Sequence, residues 1–296
     1  MADGHGHFAW YELLTTDMAA ARTFYGRVLG WEARDASTPQ FAYNVFFAGE
    51  AQVCGLMELP EDARQMGATP RWVGYVAVDD VRGTAERLRR LRGKVFVPPT
   101  ETNIGLISIV ADPQGATLAV AQDLKLGQPQ TELGELGHVG WHELFAGDWT
   151  TAFTFYSELF GWERAGGGIG SSESYQLLSK GGRRIGGMFN KLPIAPVPFW
   201  LYYFNVPDIA IAAKQVTDGG GRIAQGPTEL PDVGWVLRCI DPQGAMFALQ
   251  AATNQSGVEQ LSTAELGWSA EWGGFTSRGK VSVKPAAKRP DSKPKT

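Results

Sequence analysis

The chain has 296 residues, an apolar fraction of 44% and a formal net charge of −4, which is enough material for two domains of ordinary size with a core in each. No stretch approaches the ~20 uninterrupted apolar residues of a membrane span, and the start MADGHGHFAW lacks the basic-then-apolar layout of a signal peptide, so no membrane association is expected. The two cysteines, Cys54 and Cys239, are too few for a disulfide framework and read as buried thiols of a cytoplasmic protein.

In chain order, HFAWYEL at the start reads as a strand, with Trp10 and Glu12 on one face. Asp17 then caps a helix whose apolar residues Ala21, Phe24, Tyr25, Val28 and Leu29 recur at helical spacing, and Gly30 stops it. The strand-like stretches FAYNVFFAG and QVCGLMEL follow. A second helix starts after Asp80, with Val81, Ala85 and Leu88 on one side, and KVFVPP, GLISIVA and ATLAVAQ complete the series. DPQG, at 112–115, reads as a turn bent by Pro and Gly into the last strand.

The chain then repeats itself. Residues 7–33 and 138–164 are identical at twelve of 27 positions, RWVGYVAVDDV (71–81) returns as FWLYYFNVPDI (199–209), and ADPQGATLAVA (111–121) returns as IDPQGAMFALQ (240–250). Matches at so nearly fixed an offset indicate one duplicated domain, at 5–125 and 136–252 with a linker at 126–135. Each copy reads βαβββ twice over. The second copy's helices start at Asp148, with Ala152, Phe155, Tyr156 and Leu159 before Gly161, and at Asp208, with Ile209, Ala212, Ala213 and Val216.

Residues 253–276 form an extension in which STAELGWSAEW, with Trp268 and Trp272 four apart, reads as a short helix packed on the body. Residues 277–296 carry seven Lys or Arg against one Asp, leaving −10 on the rest of the chain. An acidic body predicts no nucleic-acid partner. The Lys-, Pro- and Ser-rich tail predicts disorder.

GHVGWHEL, at 137–144, has the look of a metal site, with His138, His142 and Glu143 close in sequence. Ahead of a helix capped by Asp148 it is most simply a strand, which puts His138, Gly140 and His142 on one face and Val139, Trp141 and Glu143 on the other. The three candidate ligands therefore cannot converge locally. His5 and His7, in a Gly-rich N-terminus, are likewise read as binding nothing. The GGG runs at 166–168 and 219–221 lack the Lys and helix register of a phosphate loop.

A duplicated βαβββ domain with D-x3-A-x-x-FY-x4-G-W after its first strand and DPxG before its last resembles the vicinal oxygen chelate superfamily of glyoxalases, extradiol dioxygenases and bleomycin-resistance proteins. The resemblance covers nearly all of residues 7–251. It implies an α+β fold class: two tandem domains, each of two βαβββ modules forming a curled eight-stranded mixed sheet, with a concave cup and with helices on the convex face. In metal-using members, ligands enter the cup from the first, fourth, fifth and eighth strands. Carried onto this chain, those positions are Trp10 and Trp141, Met57 or Glu58 and Phe189 or Asn190, Val73 and Leu201, and Ala119 and Ala248. Indole, methyl and isopropyl groups offer a divalent cation no lone pair, so neither a metal nor any other cofactor is implied.

What remains for chemistry is an aromatic wall with one carboxylate per cup. Trp10, Tyr75 and Glu12 would line the first; Trp141, Tyr203, Glu143, Trp235 and Gln250 would line the second. The resulting expectation is metal-independent binding of a small apolar or aromatic organic molecule in one or both cups. The rival reading is a glyoxalase-type lyase or isomerase with Glu12 or Glu143 as general base, and a third is a scaffold acting through its tail. Since Leu106 is matched by Trp235, and Ala121 by Gln250, the two pockets are expected to differ. A monomer is expected, because fusion supplies the domain pairing internally.

Overall fold

The computed structural model of the protein describes residues 4–39, 41–65, 67–126, 134–166, 175–191, 195, 197–230 and 234–252. Most of the expected linker, the extension at 253–276 and the basic tail at 277–296 lie outside the described residues. The first half runs β1 (Phe8–Thr15), α1 (Met18–Leu29), β2 (Glu32–Asp35), β3 (Tyr43–Ala48), β4 (Ala51–Glu58), α2 (Glu61–Gln65), β5 (Arg71–Ala77), α3 (Val81–Arg90), β6 (Lys94–Thr102), β7 (Gly105–Ala111) and β8 (Thr117–Gln122). The second runs β9 (Val139–Ala146), α4 (Trp149–Phe160), β10 (Glu163–Arg164), β11 (Tyr175–Lys180), β12 (Arg183–Asn190), β13 (Phe199–Asn205), α5 (Ile209–Asp218), β14 (Arg222–Leu230), β15 (Gly234–Ile240) and β16 (Met246–Ala251). The one-turn α2 is an addition to the βαβββ plan.

Local chemistry places the long helices. Asp17, Asp80, Asp148 and Asp208 each accept from a backbone N–H of the first turn, at 2.9 to 3.3 Å. This satisfies donors that a helix start leaves open. Gly30 and Gly161 end α1 and α4 with φ of 70° and 69°, a left-handed conformation that a side chain would strain.

Each half forms one open sheet, ordered β2-β3-β4-β1-β5-β8-β7-β6 and β10-β11-β12-β9-β13-β16-β15-β14. The two central pairs β1·β4 and β5·β8 are parallel, as are β9·β12 and β13·β16, and the other pairings are antiparallel. Alternation along the last strands sorts the faces. Leu118, Val120, Phe247 and Leu249 enter the central core, together with Trp72 and Trp200, while Ala119 and Ala248 face the two cups.

The sequence predicts a core in each half; each has its own smaller apolar cluster on the cup face, but the main core is shared, a single apolar cluster joining the helix-bearing faces of both sheets, from Phe8, Tyr25 and Trp72 to Tyr156, Trp200 and Phe247. Polar bonds cross this core reciprocally. Tyr25 donates to Asp241 at 3.0 Å and accepts from Trp72 Nε1 at 3.0 Å, and Tyr156 donates to Asp112 at 3.1 Å and accepts from Trp200 Nε1 at 3.1 Å. Trp31 Nε1 reaches the carbonyl of Gly137 and Trp162 Nε1 that of Gly6. The FY tyrosine and the DPQG aspartate of the repeat are thus partners across the halves. Each aspartate's other oxygen holds its own turn, accepting from Gln114 N and Ala116 N or from Gln243 N and Ala245 N.

His142 belongs to this interior. Its Nε2 lies 2.6 Å from the Tyr11 hydroxyl and its Nδ1 2.5 Å from the Ile185 carbonyl, with the ring stacked on Phe8 at 4.0 Å. It shares no face with Glu143, as the strand parity required. Val139, however, packs against the central core instead of pointing into the cup, because the β9·β13 register slips between Val139 and Trp141; a bulge shifts the alternation by one.

Candidate functional site

On the face of each sheet turned away from the core, β1 and β9 carry a tryptophan–glutamate pair; both glutamates and Trp10 are buried, and Trp141 is half-buried. In the first cup, Glu12 Oε1 accepts from Tyr43 Oη at 2.6 Å and Oε2 accepts a short bond from Tyr75 Oη, while Trp10 Nε1 donates to Tyr43 Oη at 3.4 Å. Trp10, Tyr43 and Tyr75 are buried, and Leu14, Val45, Met57, Val73, Ile107, Ile109 and Ala119, with Phe47 packed against them, give a mainly aliphatic lining. Burial raises the Glu12 carboxyl above its usual range, with the hydrogen bonds from Tyr43, Tyr75 and Trp10 opposing it.

The second cup repeats this arrangement and adds a cation. Glu143 Oε1 accepts from Tyr175 Oη at 3.0 Å, Oε2 takes a short bond from Tyr203 Oη, and Trp141 Nε1 donates to Tyr175 Oη at 3.1 Å. Arg238 Nη2 donates to Glu143 Oε2 at 2.7 Å, Nε to Tyr203 Oη at 2.8 Å, and Nη1 to Gln225 Oε1. The strands carrying Arg238 and Glu143, β15 and β9, lie three places apart, about 14 Å on a flat sheet, so curvature brings the two side chains together. Burial works against the charged guanidinium, but Tyr203 and Glu143 beside it hold it above even the usual arginine range. The ring of Phe145 lies under it at 5.1 Å.

A glycine in the neighbouring strand lets each outer tyrosine lie across to its glutamate. A Cβ on Gly55 would stand 2.1 Å from Tyr43 Oη, and one on Gly187 would stand 2.3 Å from Tyr175 Oη. These close approaches exclude any side chain.

The residues singled out from sequence therefore fall into three groups. Trp10, Glu12 and Tyr75 come together in one cup, and Trp141, Glu143 and Tyr203 in the other. Gln250 sits at the end of β16, where its amide donates to Asn205 at 2.7 Å. Trp235 is not brought into the cup. It packs against the central core, on the opposite face of β15 from Val236 and Arg238, because strand alternation outweighs the size argument that suggested it. Of the fourth-strand alternatives, Met57 and Phe189 line the cups, whereas Glu58 is exposed and Asn190 caps the start of α4 through Trp149 N. Tyr43, Tyr175, Arg238 and Gln225 went unseen. The signals were an aromatic at matching places in FAYN and SYQL, and a lone charge inside the apolar strand WVLRCI.

Among the described residues no three His, Cys, Asp or Glu side chains gather, and no helix is long and apolar enough to cross a membrane.

The comparisons with known proteins agree with this architecture. "Putative glyoxylase CFP32" of Mycobacterium tuberculosis is 30% identical over 245 residues, covering 81% of this chain and 92% of that protein. "Anthracycline biosynthesis protein DauV" of Streptomyces sp. is 28% identical over 259 residues, 81% and 91% of the two chains. Among solved structures, the Mn(II)-bound glyoxalase from Novosphingobium aromaticivorans superposes with a TM-score of 0.57 at 16% identity, covering 84% of this chain and 82% of that one. The 2,3-dioxygenase LapB from Pseudomonas sp. KL28 gives 0.58 at 14% identity, covering 84% and 92%. The family model matches twice in tandem, at residues 6–120 and 135–249, and the chain belongs to the Glyoxalase/Bleomycin resistance protein/Dioxygenase superfamily.

Proposed function

We propose that the protein binds small, predominantly apolar or aromatic organic molecules in one or both cups without a metal ion. One observation carries this reading: the single carboxylate at the centre of each cup has both oxygens committed to tyrosine hydroxyls, and the surrounding positions present carbon. A divalent cation needs several oxygen, nitrogen or sulfur donors at about 2 Å; Trp10, Val73 and Ala119, with their counterparts Trp141, Phe189, Leu201 and Ala248, supply none, and Met57 offers a single thioether sulfur. The donor set does not fit a metal, and no step is routed through one. An aromatic or aliphatic floor with one polar group at its centre is how small-molecule pockets combine affinity with orientation. The names of the mycobacterial and streptomycete relatives, a glyoxylase and an anthracycline biosynthesis protein, both point to small organic molecules and support the same reading.

The test is elemental analysis of untagged, dialysed protein, together with native mass spectrometry and titration of the intrinsic tryptophan fluorescence with planar aromatic probes, in wild type and in Trp10→Phe and Trp141→Phe variants. Binding is expected with well under one equivalent of transition metal per chain. A stoichiometric metal lost on mutating cup residues, or the absence of binding by every probe, would overturn the proposal.

An enzymatic reading has one observation of its own in Glu12, whose carboxyl is raised by burial and has no cation beside it. As the general base of a lyase or isomerase it would make Glu12→Gln inactive and leave Glu143→Gln active, since Glu143 is ion-paired to Arg238. We also propose that the chain is monomeric, its halves serving as each other's partner, which light scattering on the full chain would check.

A further inference from the structure

The two cups differ in the donors left beside the central glutamate. In the first, every donor near Glu12 is used: Tyr43 and Tyr75 donate to the carboxylate and Trp10 to Tyr43. Arg71 shares the strand face of Val73 and Tyr75, but it stands at the start of β5, level with Leu14 instead of Glu12, and its Nε is taken by the Thr69 carbonyl. In the second cup, Tyr175 and Tyr203 donate to Glu143 and Trp141 donates to Tyr175. Arg238 has five N–H bonds and uses three, toward Tyr203, Gln225 and Glu143. Each terminal nitrogen keeps one. The side chain remains 17% exposed. The residue at the matching place in the first cup is Ile109, which pairs with Ala119 as Arg238 pairs with Ala248.

The linings differ in the same sense. Leu14 and Met57 of the first cup are replaced by Phe145 and Phe189, each pair facing across the same parallel strands, and Arg71 is replaced by Phe199. Phe145 stacks on Phe199 at 4.5 Å and meets Phe189 edge-on at 4.4 Å, and Tyr175 stacks on Phe189 at 5.6 Å. Flat rings favour a flat partner, and a guanidinium with spare N–H bonds favours an oxygen acceptor.

Building on the cup-binding reading, we propose that the second cup is selective for planar aromatic molecules bearing a carboxylate, phenolate or conjugated carbonyl oxygen, which Arg238 receives. Glu143, Tyr203 and Gln225 act as positioning residues that hold the guanidinium toward the cup.

The probes are 2-naphthoate and 2-naphthylmethylammonium, equal in ring area and opposite in polar group, titrated calorimetrically into the full chain. Naphthoate is expected to bind about tenfold or more tightly than the ammonium, the order of one charge-assisted hydrogen bond. Arg238→Leu should erase that preference. Because it strands Glu143 without its cation, the paired variant Glu143→Gln/Arg238→Leu is measured beside it and should lose the preference too. Ile109→Arg should add a second naphthoate site. Equal binding of the two probes, or a naphthoate preference that survives in the folded paired variant, would overturn the selectivity and leave cup binding standing. Failure of both probes to bind would overturn the selectivity, and the cup reading falls with it only if the other planar aromatic probes fail as well.

Discussion

Acidification should weaken the joint between the two halves through His142. The neutral ring has one donor and one acceptor nitrogen. The Ile185 carbonyl can only accept, so Nδ1 carries the proton and Nε2 accepts from the Tyr11 hydroxyl. Protonating Nε2 would make the Tyr11 hydroxyl turn from donor to acceptor, taking its own proton off the only acceptor given for it, and would place a charge in a buried site. Burial accordingly lowers the imidazole from 6.5 to about 4, with the Ile185 hydrogen bond opposing it. Between those values the unfolded chain binds the proton and the folded chain does not, so stability rises with pH across the window. The contribution is complete above about pH 6.5 and is lost as pH falls toward 4. A shift of this size corresponds to about 3 kcal/mol in all, of which about 2.5 kcal/mol is lost between pH 7.5 and 4.5. Glu12, Asp112 and Asp241, raised mainly by burial, act with the opposite sign, so the raw profile is a sum. The informative quantity is the difference in urea-unfolding free energy between wild type and His142→Gln at each pH. The two proteins should converge by about 2 kcal/mol or more on going from pH 7.5 to 4.5. A difference that stays constant within about 0.5 kcal/mol would refute this account of the joint.

Two further outcomes follow from the same structure. Tyr25→Phe removes a hydrogen bond to Asp241 and leaves the buried Trp72 N–H without an acceptor; it should cost about 2–4 kcal/mol in denaturant unfolding with an unchanged slope, Tyr156→Phe should behave alike, and a cost below about 0.5 kcal/mol would show that the crossing bonds are dispensable. Glu12 titrates above its unfolded 4.5, so its carboxyl contributes most stability below that pH and loses it as pH rises through the folded value. Glu12→Gln should therefore gain on wild type from pH 4.5 to 7.5, and a gap independent of pH would contradict the assignment.

The repeat was legible because identical residues recur at a steady offset, and strand alternation alone set Trp10 and Glu12 on one face; Phe8, of the same parity, joins the central core because the β1·β5 register slips between Phe8 and Trp10. Local pattern also separated His142 from Glu143. What stayed hidden depended on pairing across distance. Tyr43 reaches Glu12 from two strands away and Arg238 reaches Glu143 from three, so each is an ordinary strand residue until the sheet order is known. Trp235 was misplaced for the converse reason: its bulk suggested a pocket wall, and one step of alternation sent it to the other side. The aspartate of DPQG looked complete as a turn former, and nothing nearby in the chain announces that its second oxygen serves a tyrosine of the opposite half.

The crossed tyrosine–aspartate bonds also bear on how the binding surfaces came to differ. A lone repeat carries both parts of the lock, its own Tyr25 and its own Asp112, so two identical copies would satisfy each other in the same manner. In such a twofold assembly any substitution appears twice, and an arginine in one hollow brings an arginine to the other. Joining the copies in a single polypeptide removes that constraint: an isoleucine at 109 and an arginine at 238 can occupy equivalent places around one unchanged frame.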